Sequence, residues 1–167
     1  MILGVTDLKG AILNKGEKYY TYMGKVFAAI KGEQLKYNWL ITNCVCYPKD
    51  SNYAELLSKE YAWLTGEELT HMIEIEDFQW IWAVLSGFPK SISLEEVLKY
   101  KLPFADGFEG FWGSTLNIQH PLADIEIVPW DSSRVLAISR KDIIIDNFMN
   151  YFPLSQDLVE YNTQLEK

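Results

Sequence analysis

The sequence predicts an α+β fold: a single domain in which short helices pack on an antiparallel or mixed sheet, ending in a C-terminal hairpin followed by a helix. Three observations point there. The 167 residues are 49% hydrophobic and 23% charged, which suits one core and leaves no length for a second. Short runs with an apolar period of two alternate with short helical runs, two of them opened by Thr/Ser-x-x-Glu signals. Finally, only Asp131-Ser132-Ser133 joins the alternating stretch Asp124–Trp130 to Arg134–Ser139, a connection that antiparallel neighbours alone can use. The hairpin and the short helices disfavour a doubly wound parallel sheet. A chain of this mass should expose about 8,500 Å² when folded.

The elements follow in order. Residues 1–5 read as a short strand, and a Gly- and Lys-bearing connection comes after it. From Glu17 to Ile30 the apolar residues Tyr19, Met23, Val26, Phe27 and Ile30 recur at helical spacing, with a stop at Gly32. Gly24 inside that run costs about 1 kcal/mol relative to alanine and marks a close approach by another element. Tyr37, Trp39, Ile41, Val45 and Tyr47 alternate up to Pro48, a strand with one buried face that Asn43 interrupts. A buried amide needs partners, so Asn43 should bond a neighbouring loop or anchor a ligand.

A polar connection with a short helix at Tyr53–Leu57 leads to Tyr61–Leu64, a brief strand or extended link. Thr65-Gly66-Glu67-Glu68 is a capping box that opens a helix through Ile73. The run Phe78–Leu85 is apolar on both faces, as in a central strand, and is expected to end at Ser86-Gly87-Phe88-Pro89. Ser93-Leu94-Glu95-Glu96 is a second capping box, starting a helix to about Lys99. Leu102–His120 has no period. The hairpin Asp124–Ser139 is expected to have one wet face, with Asp131 and Arg134 pairing across its turn. A helix over Asp142–Phe152 buries Ile144, Ile145, Phe148 and Phe152, and Ser155 caps a last turn through Leu158. The single domain spans residues 1–167, and its tail from about residue 156 is expected to fray.

Charge narrows the function classes. Fifteen basic against 23 acidic residues give a net charge of −8, which repels phosphate backbones and anionic membranes. Nucleic acid and membrane are therefore excluded as partners, while a basic protein is not. Cys44 and Cys46 read as small buried side chains of a reduced protein, because a bridge between them would be strained. Metal ligation would need more Cys or His than His71 and His120 supply, so no metal and no cofactor are expected. The N-terminus lacks the features of a signal peptide and no run is long enough to span a membrane, which predicts a cytoplasmic protein.

Phosphate-loop, dinucleotide, zinc-hydrolase and serine-hydrolase motifs are missing. The most conspicuous segment is Phe104–Gly113, with four aromatics, three glycines and two carboxylates in ten residues. It reads as a recognition loop or the lip of a ligand pocket, or as an Ω-like loop whose rings plug the open end of the sheet. Two site hypotheses result. In the first, Glu67, Glu68, His71, Glu74, Glu76 and Asp77 join Asp106, Phe108, Glu109, Phe111 and Trp112 in docking a basic partner, with no catalytic residue. In the second, Trp80, Trp82, Phe111 and Trp112 line a small-molecule or enzyme pocket that Asn43 anchors.

Tyr61–Leu69, Phe78–Phe88 and Asp146-Asn147-Phe148 with Phe152-Pro153 resemble small proteins of bacilli placed in domain-of-unknown-function families. The likeness runs from about Tyr37 onward, implies a small cytosolic bacterial protein and carries over no active-site residue. The acidic, aromatic-rich style is also similar to immunity proteins that neutralise toxins of neighbouring cells. Together these favour a non-enzymatic, immunity-like interaction module, with a small-molecule-binding domain or enzyme as the alternative.

Overall fold

The computed structural model describes residues 7–166. Along the chain come β1 (Lys9–Leu13), α1 (Met23–Ala29), β2 (Tyr37–Cys46), α2 (Ser51–Ser58), β3 (Tyr61–Thr65), α3 (Gly66–Ile75), β4 (Trp80–Pro89), α4 (Leu94–Val97), β5 (Ile125–Trp130), β6 (Arg134–Ser139), α5 (Asp142–Tyr151), β7 (Gln156–Asp157) and α6 (Leu158–Leu165). Single 3-10 turns lie at Glu33–Lys36 and Glu109–Trp112. Among the described residues the strands form one sheet, ordered β3-β2-β4-β5-β6-β1-β7, with every neighbouring pair antiparallel. The fold is the expected single α+β domain with a C-terminal hairpin and helix, and it exposes 8615 Å². No helix of the described residues is long and apolar enough to cross a membrane.

Each sheet face carries its own core. Trp39, Ile41, Leu85 and Ile127 point to one side, where Met23 and Phe27 of α1, Leu69 and Met72 of α3 and Phe148 of α5 cover them. Leu40, Val84, Val128 and Leu136 point to the other, under α6 and the irregular segment that follows α4. Both capping boxes form: Thr65 and Ser93 each accept the N–H of the glutamate three residues on, which reaches back to the cap's own N–H. As its two-faced apolar run requires, β4 sits between β2 and β5. Gly24 does mark a close approach, since a Cβ there would collide with the Asp77 carboxylate.

Several expectations are corrected. The strand read at residues 1–5 lies outside the described residues, and the segment taken as a connection contains β1, held between β6 and β7 with Ala11, Ile12 and Leu13 buried. Its apolar run is too short for a period to show. The helix read from Glu17 starts only at Met23, because Tyr22 makes a β-bridge to Gln79. Within the stretch expected to end it, β4 stays paired as far as Pro89, Gly87 lying opposite Trp39 and Ile125. The β5–β6 hairpin has no wet face: Glu126, Val128, Leu136 and Ile138 lie beneath the irregular segment. The tail does not fray at residue 156. Asp157, rather than Ser155, caps α6, and Leu158 and Asn162 are fully buried.

Gly66 begins α3 where the chain leaves β3, and a Cβ there would strike the Gln34 carbonyl oxygen and lie 2.8 Å from Leu35 Cα. That carbonyl is also the acceptor of the buried Trp39 indole N–H, at 2.9 Å. Gly66→Ala should therefore lower stability by about 3 kcal/mol. Gly113→Ala, whose Cβ would meet nothing closer than 3.9 Å, should be nearly neutral. Chemical denaturation of both variants checks the contrast.

Candidate functional site

Phe104–Gly113 crosses the second sheet face without joining a strand, so its backbone polar groups need partners from elsewhere. Three amide side chains supply them. Asn43 accepts the N–H groups of Ala105 (2.8 Å) and Asp106 (3.2 Å) through Oδ1. Gln119 holds Phe104 twice, accepting its N–H at 3.1 Å and donating to its carbonyl at 2.8 Å. From α6, Asn162 donates Nδ2 to the carbonyls of Phe111 and Gly113, both at 2.8 Å. Asn43 reaches the loop because β2 bulges: its register on β4 shifts between Thr42 and Val45, and Asn43 takes a φ of 52°, a left-handed state that asparagine tolerates. It is exposed rather than buried in the strand face, and its amide bonds a neighbouring loop.

The loop's rings form a ladder into the core. Phe104, Phe108, Phe111, Trp112, Trp130 and Trp82 follow one another edge to face, with centroids 4.7 to 6.2 Å apart. Phe111 is 1% exposed, while Phe108 and Trp112 are half-buried. Arg134 does not pair with Asp131; its guanidinium lies 4.8 Å from the Trp130 ring centroid and donates to the Tyr161 hydroxyl at 3.3 Å. Trp80 belongs to the opposite face, stacked on Phe78, because β4 gains a residue at Ile81 between its pairings with Val45 and Cys46. The five residues of the proposed pocket therefore do not line one cavity: Trp80 is across the sheet from Trp82 and Trp112, and Phe111 is enclosed.

The acids of the first hypothesis are likewise split. α3 lies on the first face and the loop on the second. On α3 most carboxylates serve the fold. Glu68 completes the capping box. Glu67 pairs with Lys90, whose ammonium holds it below the usual carboxylate range. Glu76 accepts the N–H groups of Lys49 and Asp50 at 2.7 and 3.0 Å, and Asp77 accepts that of Gly24 at 3.3 Å, although burial pushes Asp77 up. His71 and Glu74 are exposed without such a role. On the loop, Asp106 and Glu109 are exposed on either side of Phe108.

Next to this rim, a groove of about 330 Å³ runs between Lys101–Phe104 and Asn117–Gln119, with Phe108 at its side. The Lys101 ammonium stands 5.5 Å from the centroid of Phe104. A second cleft of about 400 Å³, lined by Asn43, Cys44, Lys59 and Glu60, shares Leu102–Phe104 as a wall. Behind the wall lies Glu126, fully buried on β5. Its Oε2 accepts the Gln119 N–H at 3.0 Å, whereas Oε1 and the hydroxyl of Ser86, its register partner on β4, have no hydrogen-bond partner. Burial pushes its carboxyl up to about 7. His120 is enclosed too, with Nε2 at 2.8 Å from the Val97 carbonyl and Nδ1 accepting the Leu122 N–H at 3.2 Å. Cys44 and Cys46 are half-buried and unbridged, not buried. No grouping of three or more His, Cys, Asp or Glu side chains fit to hold a metal occurs among the described residues.

Sequence reasoning missed Gln119, Asn162 and Glu126. A polar residue between Ile125 and Ile127 looks like the wet position of a hairpin, and the two amides carry no local signal for partners tens of residues away.

A family model described as Protein of unknown function (DUF2691) matches residues 9–105, more than half of the chain, from β1 through α4 to the start of the loop. No curated protein and no solved structure matches.

Removing Asn162 would strip two carbonyls of their donor. Asn162→Ala should cost about 2 kcal/mol, with faster hydrogen exchange confined to the loop. The Glu126 carboxyl titrates higher folded than unfolded, so between the ordinary carboxylate range and about pH 7 the folded state keeps a proton that the unfolded state has lost. Its stabilisation is complete below the unfolded value and is lost as pH rises through about 7, a change of about 3 kcal/mol. Urea denaturation across that range should show wild type losing this much more stability than Glu126→Gln.

Proposed function

The chain belongs to the family described as Protein of unknown function (DUF2691), and from that footing we propose that it is a non-enzymatic interaction module, immunity-like, that takes a basic segment of a partner protein at the pinned loop. The observation that carries this is that Asp106 and Glu109 are exposed on either side of a half-buried Phe108, on an irregular backbone fixed by Asn43, Gln119 and Asn162. Such a loop loses little conformational freedom on binding, so its exposed groups give more of their contact energy to affinity. Phe108 and Trp112 offer half-covered ring surface, while Asp106 and Glu109 flank Phe108 with negative charge. Lys101 over Phe104 illustrates the chemistry, because an ammonium already rests on a ring of this rim. Most acids in and just after α3 take no part, Glu68 being used in capping, Glu67 on Lys90 and Glu76 on backbone N–H groups, while Glu74 lies on the other side of the sheet from the loop.

Binding rather than turnover is supported by the titratable groups nearby. His120 has both ring nitrogens engaged, and Glu126 is sealed beneath Gln119. The free cysteines suit a reducing, cytoplasmic compartment. One observation favours small-molecule binding as a second reading: the 330 Å³ groove combines an apolar floor with the amides of Asn117 and Gln119.

Titration with short peptides carrying arginine or lysine beside one aromatic residue tests the proposal by amide NMR. Shifts should gather at residues 101–119, and association should slow as salt rises. Asp106→Asn with Glu109→Gln should slow association about fivefold with the fold intact, and Phe108→Ala should speed dissociation. Shifts centred on α3, or association indifferent to both charge removal and salt, would overturn it. Neutral aromatic compounds filling the groove with equal affinity in the charge-removed variant would favour the second reading.

A further inference from the structure

Cys44 and Cys46 are two residues apart in β2, and an extended strand would point both to one face but hold their sulfurs well apart. Here the sulfurs are 3.5 Å from each other. The cause is local. β2 shifts register against β4 twice within this stretch, between Thr42 and Val45 and again between Val45 and Cys46. Pairing with β3 stops at Thr42, so among the described residues no ladder continues on the other side of the segment. Both side chains are half-buried, and Cys44 lines the open cleft beside Asn43. A disulfide needs about 2.05 Å between sulfurs, and a segment without a β3 partner and paired to β4 only in shifted register can supply that movement more easily than a flat ladder.

We propose that Cys44 and Cys46 are a thiol–disulfide exchange site for a low-molecular-weight disulfide. The Cys46 thiolate attacks one sulfur of the small disulfide, whose S–S bond breaks, and the departing thiolate takes up a proton. Cys44 then loses its proton and attacks the Cys46 sulfur of the mixed disulfide. The Cys44–Cys46 bond forms and the second small thiol leaves. Two protein thiols are thereby oxidised and one small disulfide is reduced to two thiols. Cys46 is assigned as attacker because the 3.5 Å contact with Cys44 holds it below the usual thiol range, against burial and the nearby Glu76 carboxylate, while the same contact and burial push Cys44 up. Strain in so short a ring leaves the bond easily reduced, as suits exchange rather than permanent cross-linking.

Oxidised glutathione is the probe. Folded wild-type protein should lose two hydrogens by intact mass, without lasting adduct, and regain them with dithiothreitol. Cys44→Ser should stop at a glutathione adduct on Cys46. Cys46→Ser should react about tenfold more slowly than Cys44→Ser, with circular dichroism confirming that both variants are folded. Wild type that accumulates the mixed disulfide, or that stays unreacted while its urea-unfolded form closes the bridge, would overturn the proposal.

Discussion

An irregular backbone laid across a sheet brings N–H and C=O groups that no ladder reaches, and burying them without partners would cost more than the covering gains. Asn43, Gln119 and Asn162 remove that cost for Phe104–Gly113. Much else depends on them. With the loop in place the second face is closed, β5 and β6 lose their wet side, and a glutamate in mid-strand becomes a buried acid that keeps its proton to about pH 7. The same fixation leaves Asp106 and Glu109 exposed beside a half-buried Phe108 while enclosing Phe111. A core and the proposed binding rim thus come from one set of hydrogen bonds.

The local signals in the chain were readable where the physics is local. Thr65 and Ser93 announced their helices because a capping box is completed within four residues. The two-faced run of β4 placed it centrally, since only a covered strand can be apolar on both sides. Gly24 marked the approach of Asp77. What escaped was settled at a distance. β1 is too short to show a period, and its burial comes from β6 and β7. α6 looked polar because its anchoring residue, Asn162, is a side chain whose acceptors lie in the loop. Of the candidate site, the loop itself and the bond made by Asn43 were legible; the bulge that flips Trp80 away from Trp82 was not, as no residue type forces an extra position into a strand.

Net charge was the least reliable guide to a surface. A charge of −8 suggested an acidic face on α3, yet Glu68, Glu76 and Asp77 are there as acceptors for backbone N–H groups. A carboxylate near a chain reversal is often a cap or a clasp first. Asp106 and Glu109 on the loop, like Glu74 on α3, are exposed with no such local task.

The place of β1 in the sheet has a consequence for biosynthesis. Its partners, β6 and β7, lie well over a hundred residues downstream. While a ribosome is still extending the chain, β2, β3 and β4 can pair as soon as they emerge, but Gly10–Leu13 must wait with its apolar side chains uncovered until β6 and β7 have followed. Slow translation of the stretch between β4 and β6 would lengthen that exposure.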